Sequence, residues 1–192
     1  MSKRDDILDA ATHLFAVKGY QDTSIADISK ATGAADGTIF YHFKNKEEIL
    51  VTILRRIKER ILAEFATNAA RGQFPTGLDR AENVIKFYLA LTAEMEMEFM
   101  LLFRNYPYQL ANINEEARSD LEAIYTCFLD FLTEAITIGK ADGSIDDLQG
   151  DKVALVIFGM LSSMVRFRIF NLFPAAPVYP ELLISCRKIL SK

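Results

Sequence analysis

Apolar residues recur every three or four positions along almost the whole of this 192-residue chain. That spacing places them on one face of an α-helix, whereas strict alternation of the β type is confined to the short "EMEMEF" at 94–99. Glycines and prolines interrupt the pattern, as in "RGQFPTG" at 71–77 and "FPAAPVYP" at 173–180. The sequence therefore predicts an all-α protein whose helices are joined by short turns.

The composition indicates a cytoplasmic protein with a core large enough to need no disulfides. Apolar residues make up 51% of the chain, and Cys127 and Cys186 lie far apart in apolar surroundings, as expected for reduced thiols. The N-terminal "MSKRDDILDA" has no apolar signal segment. The longest uncharged apolar run, at 153–165, is too short to cross a bilayer, so no membrane partner is expected.

The charge is unevenly distributed. The net charge is −4, yet residues 1–60 carry ten lysines and arginines against nine acidic residues, while the rest of the chain is acidic. An anionic partner would therefore be bound by the N-terminal third.

The helix signals divide the chain into short N-terminal helices and longer later ones. The first apolar stripe ends at Gly19, Ser24 with Asp27 predicts the capped start of a second helix, and a third begins near Asp36. Asn45 with Glu48 predicts the start of a fourth. Longer helices are predicted at 78–104, 115–139, 151–171 and 179–191. The acidic "DGSIDD" loop lacks EF-hand spacing, so it is interpreted as a glycine stop followed by polar caps, and no metal or cofactor is expected.

The stretch "TIFYHFKNKEEIL" at 38–50 crowds three aromatic residues and a histidine into one short helix. Helical geometry places Thr38, Tyr41 and His42 on one face. Ile39, Phe40 and Phe43 are expected to pack on the second helix. A short helix, a glycine turn and another short helix form the helix-turn-helix pattern, whose second helix enters the DNA major groove.

Over residues 7–50 the chain resembles the tetracycline-repressor (TetR) family of bacterial transcriptional regulators. The resemblance is carried by "LF…KGY…TS", "IADISKATG", "GTIFYHF" and "KNKEEIL" at the family's spacing. It implies a DNA-binding domain at 1–47 and a helical ligand-binding and dimerisation domain at 48–192. The implied function is that of a repressor that binds a palindromic double-stranded DNA operator as a dimer and is released by a small, mainly apolar or amphipathic effector.

The resemblance also implies which residues contact DNA. Phosphate contacts are expected from the second helix, the recognition helix, the fourth helix and an N-terminal arm, at Thr23, Ser24, Thr38, Tyr41, His42, Lys46, Lys3 and Arg4. Base contacts are expected at Asp36 and Gly37, with Ala35 beside them. Ala35 replaces a serine that often caps this helix in the family, so Asp36 is expected to cap instead. Phe40 replaces a tyrosine, which leaves a thymine methyl as the partner for its ring.

The same resemblance implies a homodimer through helices 151–171 and 179–191. Val153, Val156, Ile157, Met160, Leu161 and Met164 offer one apolar face for it, and Leu182, Leu183, Cys186, Ile189 and Leu190 offer another. The implied effector pocket lies among large apolar side chains of the middle helices, with one cation for an anionic end: Phe87, Tyr88, Met95, Phe99, Phe103, Arg104, Tyr125, Phe128, Met160 and Met164.

Two other classes of protein are compatible with parts of the sequence. An enzyme is disfavoured, because the chain has no glycine-rich phosphate loop, no Cys/His metal spacing and only two histidines. A helical adaptor that binds protein would account for the C-terminal part, but it leaves the polar face of residues 38–46 without a role.

Overall fold

The computed structural model describes residues 2–174 and 176–191. Within them the chain forms α-helices and one 3₁₀ turn, and no β-strand, which confirms the all-α prediction. The helices are α1 (Lys3–Val17), α2 (Ile25–Thr32), α3 (Asp36–His42), α4 (Lys46–Arg71), α5 (Gly77–Glu94), α6 (Glu96–Leu102), α7 (Asn105–Ala111), α8 (Glu115–Asp142), α9 (Gly150–Ile169) and α10 (Tyr179–Leu190).

One predicted helix is two in the structure. The predicted helix at 78–104 breaks at Met95, the residue between α5 and α6 in the chain, whose backbone (φ −103°, ψ 42°) is not helical and whose side chain is fully buried. Residues 105–111, which lie between the helices predicted at 78–104 and 115–139, form α7. Pro107 is tolerated there because the first turn of a helix has no hydrogen-bond partner for a backbone N–H.

The chain forms two compact units, and each is described by itself. The first unit comprises Met1–Arg60 and Met95–Ala123, and the second comprises Ile61–Glu94 and Ile124–Lys192. The chain passes from the first unit to the second within α4, after Arg60, and again within α8, after Ala123. The domain boundary predicted at 47/48 stays a prediction. Among the described residues, no helix combines the length and apolarity needed to cross a membrane.

The first unit is built around α1. This helix packs against α2, α3 and α6. Its inward face and the facing helices contribute side chains that are fully or almost fully buried, among them Ile7, Phe15, Ile28, Ile39 and Phe43. Burial of such side chains is the main stabilising contribution in a small helical unit.

In the second unit, α5 packs against α9 and α10. Both cysteines are buried, and burial raises the pKa of Cys127 to about 12 and that of Cys186 to about 11. Both thiols are therefore protonated at neutral pH and behave as small apolar side chains.

The start of α5 is fixed by a close approach to α8. A Cβ on Gly77 would lie only 2.0 Å from the backbone nitrogen of Gly139. The N–H of Gly77 donates to the Asp142 carboxylate (2.7 Å), and the next N–H donates to the Ser144 hydroxyl (3.1 Å). The acidic loop therefore caps a helix, in agreement with its interpretation from sequence.

Replacing Gly77 with alanine should destabilise the second unit. The added methyl group meets backbone atoms, which cannot move aside as a flexible side chain can, so we expect a loss of about 1–3 kcal/mol in unfolding free energy. Gly37→Ala is the matched control, because nothing lies within 4 Å of its added Cβ. Thermal and urea denaturation measure both variants, and equal stability of the two would contradict the close approach.

Candidate functional site

The turn into α2 is held by a capping box, as predicted. The Ser24 hydroxyl accepts from the Asp27 N–H (3.1 Å), and the Asp27 carboxylate accepts from the Ser24 N–H (2.8 Å). Lys18 adds an ion pair to the same carboxylate at 2.8 Å. Hydrogen bonds from Lys18 and from Ser24 hold the pKa of Asp27 well below its usual range, so this carboxylate remains ionised.

The turn between α2 and α3 needs a left-handed residue, which Gly33 supplies with φ 66°. The Ser29 hydroxyl donates to the Ala34 carbonyl (2.5 Å) and closes this turn. Ala35 occupies the cap position of α3 without a side-chain hydrogen bond, and Asp36 is the first helical residue. The expectation that Asp36 caps α3 is therefore wrong, and its carboxylate lies on the exposed surface of the helix.

The aromatic residues in and directly after α3 are distributed between the buried and exposed faces differently from the prediction. Ile39 and Phe43 are buried against the helices of the first unit, as expected, but Phe40 is 54% exposed and does not share their packing. The buried face is narrow and contains only Ile39 and Phe43, so the Phe40 ring remains exposed. Tyr41 is 85% exposed. We call the resulting surface of Asp36, Gly37, Phe40 and Tyr41 the α3 outer face.

The remaining predicted DNA contacts surround this face. Thr38 and His42 are partly buried at its edge, and the His42 ring meets the Tyr41 ring edge-on at 5.1 Å. Lys3 and Arg4 form no extended arm: they lie in the first turn of α1, which the Ser2–Asp5 capping box starts earlier than expected. The Arg4 guanidinium lies 5.2 Å from the centre of the Phe43 ring.

Two predicted phosphate contacts face inward. Thr23 is buried, and its hydroxyl donates to the Gly19 carbonyl (2.7 Å), so this side chain offers no group to a phosphate. Lys46 donates to the carbonyls of Tyr20 and Thr23, each at 2.7 Å. Both partners lie more than twenty residues away in sequence, so no local signal could have revealed them.

In the second unit, several predicted effector residues form one aromatic cluster. Tyr88, Tyr125 and Phe128 all have ring contacts with Phe158, at 5.9, 6.0 and 5.3 Å respectively. Phe87 meets the same cluster through Phe65, which also contacts Phe128. A hydrogen bond of 3.3 Å links the hydroxyls of Tyr88 and Ser162. We call these rings the aromatic cluster.

The other predicted effector residues of the middle helices belong to the first unit. Phe99 and Phe103 have a tilted ring contact at 6.4 Å. Met95 lies at the floor of an open groove of about 260 Å³ between α1, α4 and α6. Arg104 donates to the carbonyls of Ala16 and Val17 at the end of α1.

Helices α9 and α10 carry an exposed apolar surface. Met160 and Met164 line a shallow groove there of about 480 Å³ together with Leu182. Leu155 and Val156 are 59% and 56% exposed beside it. Leu161, which the sequence offered to the same surface, is fully buried within the protomer, because it faces the opposite side of α9.

Comparison with known proteins agrees with this arrangement. Residues 7–53 match the family model for bacterial regulatory proteins of the tetR family. The fatty acid metabolism regulator protein of Bacillus subtilis (strain 168) is 29% identical over 176 residues, which cover 86% of this chain and 82% of that protein. The transcriptional repressor KstR2 of Mycolicibacterium smegmatis is 37% identical over 54 residues, covering 28% of this chain and 26% of that protein.

Solved structures share the fold over nearly the full length. FadR from Bacillus subtilis, in complex with stearoyl-CoA, has a TM-score of 0.75 and 24% identity and covers 97% of this chain and 98% of its own. The ketosteroid transcriptional regulator KstR2 of Mycobacterium tuberculosis has a TM-score of 0.80 and 21% identity, with 100% and 96% coverage. Residues 7–53 therefore form the helix-turn-helix segment of the TetR family of bacterial transcriptional regulators, and the chain as a whole shares the all-α fold of these relatives.

Proposed function

We propose that this protein is a dimeric repressor that binds a palindromic operator through the α3 outer face and is released by a long-chain acyl thioester. The observation that carries the DNA-binding part is the exposure of Phe40 and Tyr41 on a helix of seven residues. Two large, solvent-exposed rings on a short helix indicate that a partner binds there. The helix-turn-helix motif places this helix in the DNA major groove.

Within this proposal, Asp36 and Phe40 of the α3 outer face contact base edges. The Asp36 carboxylate would accept from a cytosine amino group, and the Phe40 ring would contact a thymine methyl. Ser24, Thr38, Tyr41 and His42 would contact phosphates beside the groove, and Ala35 would lie against the same strand. Lys3 and Arg4 would approach the backbone from the first turn of α1.

The dimer would form through α9 and α10. Leu155, Val156 and Ile184 are large apolar side chains that the protomer leaves about half exposed. They flank the groove lined by Met160 and Met164, where the small residues Gly159 and Ser163 allow a close approach of helices. A second copy with two-fold symmetry would cover this surface and present two α3 helices to the two halves of a palindrome.

The effector class is inferred from the relatives and the aromatic cluster. The Bacillus subtilis relative is a fatty acid metabolism regulator, and FadR from the same species has been solved with stearoyl-CoA. The aromatic cluster is a large group of packed apolar rings, and an acyl chain would enter it by replacing ring–ring contacts. The Tyr88–Ser162 hydrogen bond, at 3.3 Å, is long and could open at low cost.

The effector would release DNA by shifting the population of the protein from its DNA-binding conformation to its DNA-free conformation. A ligand changes operator affinity only by the difference between its affinities for the DNA-binding and the DNA-free conformations. Helices α4 and α8 run continuously from the stretches of the first unit into those of the second. A change in the second unit would therefore reach the first along these two helices.

Selection of genomic fragments followed by fluorescence anisotropy tests the proposal. Tyr41→Ala should weaken operator binding by roughly tenfold or more, because a hydrogen bond to a charged group such as a phosphate is worth about 1.5–3 kcal/mol. It should change the unfolding free energy by less than about 0.5 kcal/mol, since the side chain is exposed. Tyr108→Ala, an exposed tyrosine on α7, is the matched control. Equal operator affinity of the two variants would remove α3 from the interface.

A further inference from the structure

Two buried polar atoms of the second unit have no hydrogen-bond partner among the residues that the structure describes. They are Nε of Arg168, in the last turn of α9, and the hydroxyl oxygen of Tyr179, the first residue of α10. A buried polar group without a partner costs folding free energy, and folded proteins pair almost all such groups. An acceptor brought to these two donors would remove that cost.

The Arg168 guanidinium has one partner, which accounts for only part of its hydrogen-bonding capacity. Its Nη2 donates to the Thr92 carbonyl (2.7 Å) in the last turn of α5, where a carbonyl lacks a partner within its own helix. This cap leaves the buried Nε–H unused. Because an arginine side chain stays charged, its remaining donor favours an oxygen that carries full or partial negative charge.

The Tyr179 hydroxyl supplies a second donor near Arg168. Burial raises the pKa of Tyr179, and the charge of Arg168 acts on it in the opposite direction, so the two side chains lie close enough to interact. The phenol is therefore protonated at neutral pH and can donate a hydrogen bond. A carbonyl or carboxylate oxygen has two lone pairs and can accept from both groups.

This pair lies further along the same two helices that carry part of the aromatic cluster. Tyr88 of α5 contacts Phe158 and Ser162 of α9. One turn later in α5, about 6 Å along its axis, Thr92 accepts from Arg168, which lies about 9 Å beyond Ser162 along α9. The two helices therefore run side by side in the same direction, and helical spacing places the three α9 residues on one face. The end of an apolar chain held among the rings would lie near Arg168.

We infer that Arg168 and Tyr179 bind the oxygen at the head of the effector's apolar chain, which is the carbonyl of an acyl thioester or the carboxylate of a fatty acid. The inference rests on the effector proposed above, and the chain itself would lie in the aromatic cluster. Apolar rings followed by two buried donors match a molecule with an apolar chain and one polar end. Through the Arg168–Thr92 hydrogen bond, the bound oxygen would also be linked to the last turn of α5.

Stearoyl-CoA and its thioether analogue octadecyl-CoA, which has no carbonyl oxygen, test this contact in the full-length protein. Calorimetry should show that the wild type binds stearoyl-CoA roughly tenfold more tightly, the gain expected from a hydrogen bond to a charged group. In Arg168→Gln the two ligands should bind equally, whereas general damage to the site would weaken both and keep their ratio. Arg166→Gln is the matched control, since Arg166 is an exposed arginine of the same helix, and it should keep the wild-type ratio.

Tyr179→Phe removes only the unpaired hydroxyl. We expect Tm without ligand to be equal to or higher than that of the wild type, because a buried group without a partner is removed. The preference for stearoyl-CoA over octadecyl-CoA should nevertheless fall by roughly threefold, as for the loss of one hydrogen bond from a neutral donor. If Arg168→Gln does not fold, Tyr179→Phe carries the test.

Stearate distinguishes the two sources of the oxygen. If the head group is a carboxylate, stearate should bind more tightly than stearoyl-CoA and lose more affinity in Arg168→Gln; the reverse order assigns the thioester. If the wild type binds neither, the proposed effector class fails and this inference falls with it. If it binds them and neither Arg168→Gln nor Tyr179→Phe changes the ratio, only this inference is overturned. A lower Tm of ligand-free Tyr179→Phe would overturn it as well, because the hydroxyl would then have a structural partner.

Discussion

Val156→Glu should convert the protein to monomers and weaken operator binding by about 10²–10⁴-fold. This is the range by which the affinity of two linked DNA-binding units exceeds the affinity of one unit alone. Val156 is 56% exposed in the protomer, so a glutamate there is solvated in the isolated chain and the fold should persist. In the proposed dimer, the same carboxylate would be buried against an apolar surface without a partner, which is strongly unfavourable.

The position of this substitution matters. Leu161 would be a poor choice, because it is fully buried within the protomer and Leu161→Glu would unfold the second unit rather than report on the dimer. Ile138→Glu is the matched control, since Ile138 is an exposed apolar residue on α8 and lies outside the proposed interface. Sedimentation equilibrium measures both. A dimeric Val156→Glu variant, or a wild-type monomer at micromolar concentration, would contradict the interface.

The second large effect is expected from the effector. Saturating stearoyl-CoA should lower operator affinity by roughly 5–150-fold, the usual range of allosteric coupling. At a hundred times its dissociation constant it should stabilise the protein by about 2.7 kcal/mol and raise Tm accordingly. Because linkage is reciprocal, operator DNA should weaken stearoyl-CoA binding by the same factor.

Phe128→Leu tests whether the aromatic cluster receives the acyl chain. Phe128 is buried and contacts Tyr88 and Phe158, so leucine preserves most of the packing while changing the shape of the cluster. We expect weaker stearoyl-CoA binding and unchanged operator affinity without ligand. Phe173→Leu, on an exposed loop of the same unit, is the control.

Three ligands distinguish the parts of the effector. Stearoyl-CoA, coenzyme A alone and stearate are compared by thermal shift and by anisotropy with the operator. Release by stearoyl-CoA but not by coenzyme A would assign the coupling to the acyl chain. If stearoyl-CoA binds and leaves operator affinity unchanged, the acyl thioester is not the effector.

Local signals in the sequence predicted the helix starts well. The Ser24–Asp27 capping box forms as predicted, and Asn45 caps α4 by accepting from the Glu48 N–H (2.8 Å). These features need only residues three positions apart, which a sequence displays directly. The Glu48 carboxylate accepts from the Lys44 N–H rather than from that of Asn45, a detail that depends on the local path of the chain.

Roles set by distant contacts were not predictable. Arg104 was predicted to face a ligand, yet its partners at the end of α1 are 87 and 88 residues away. Lys46 was predicted to face a phosphate, and its partners lie across a turn built by another part of the chain. A cation near an apolar stripe has the same appearance in sequence whether it meets a ligand or a backbone carbonyl.

The rotation of α3 also depended on packing. The sequence distinguished polar from apolar residues, but the run of Ile39, Phe40 and Tyr41 in α3, with Phe43 directly after it, does not indicate how many of these side chains the unit can bury. The structure buries Ile39 and the following Phe43 and leaves Phe40 in solvent. The exposed ring is therefore available to a partner, which supports the proposal that α3 is the helix that contacts DNA bases.

The ratio of affinities for a selected genomic operator and for a scrambled duplex of equal length tests the central claim most directly. Measured by anisotropy at physiological salt, a sequence-specific regulator should favour the operator by roughly 10³–10⁷-fold. The operator should contain two inverted half-sites and bind two protomers, or a multiple of two. Equal affinity for the two duplexes would contradict the account.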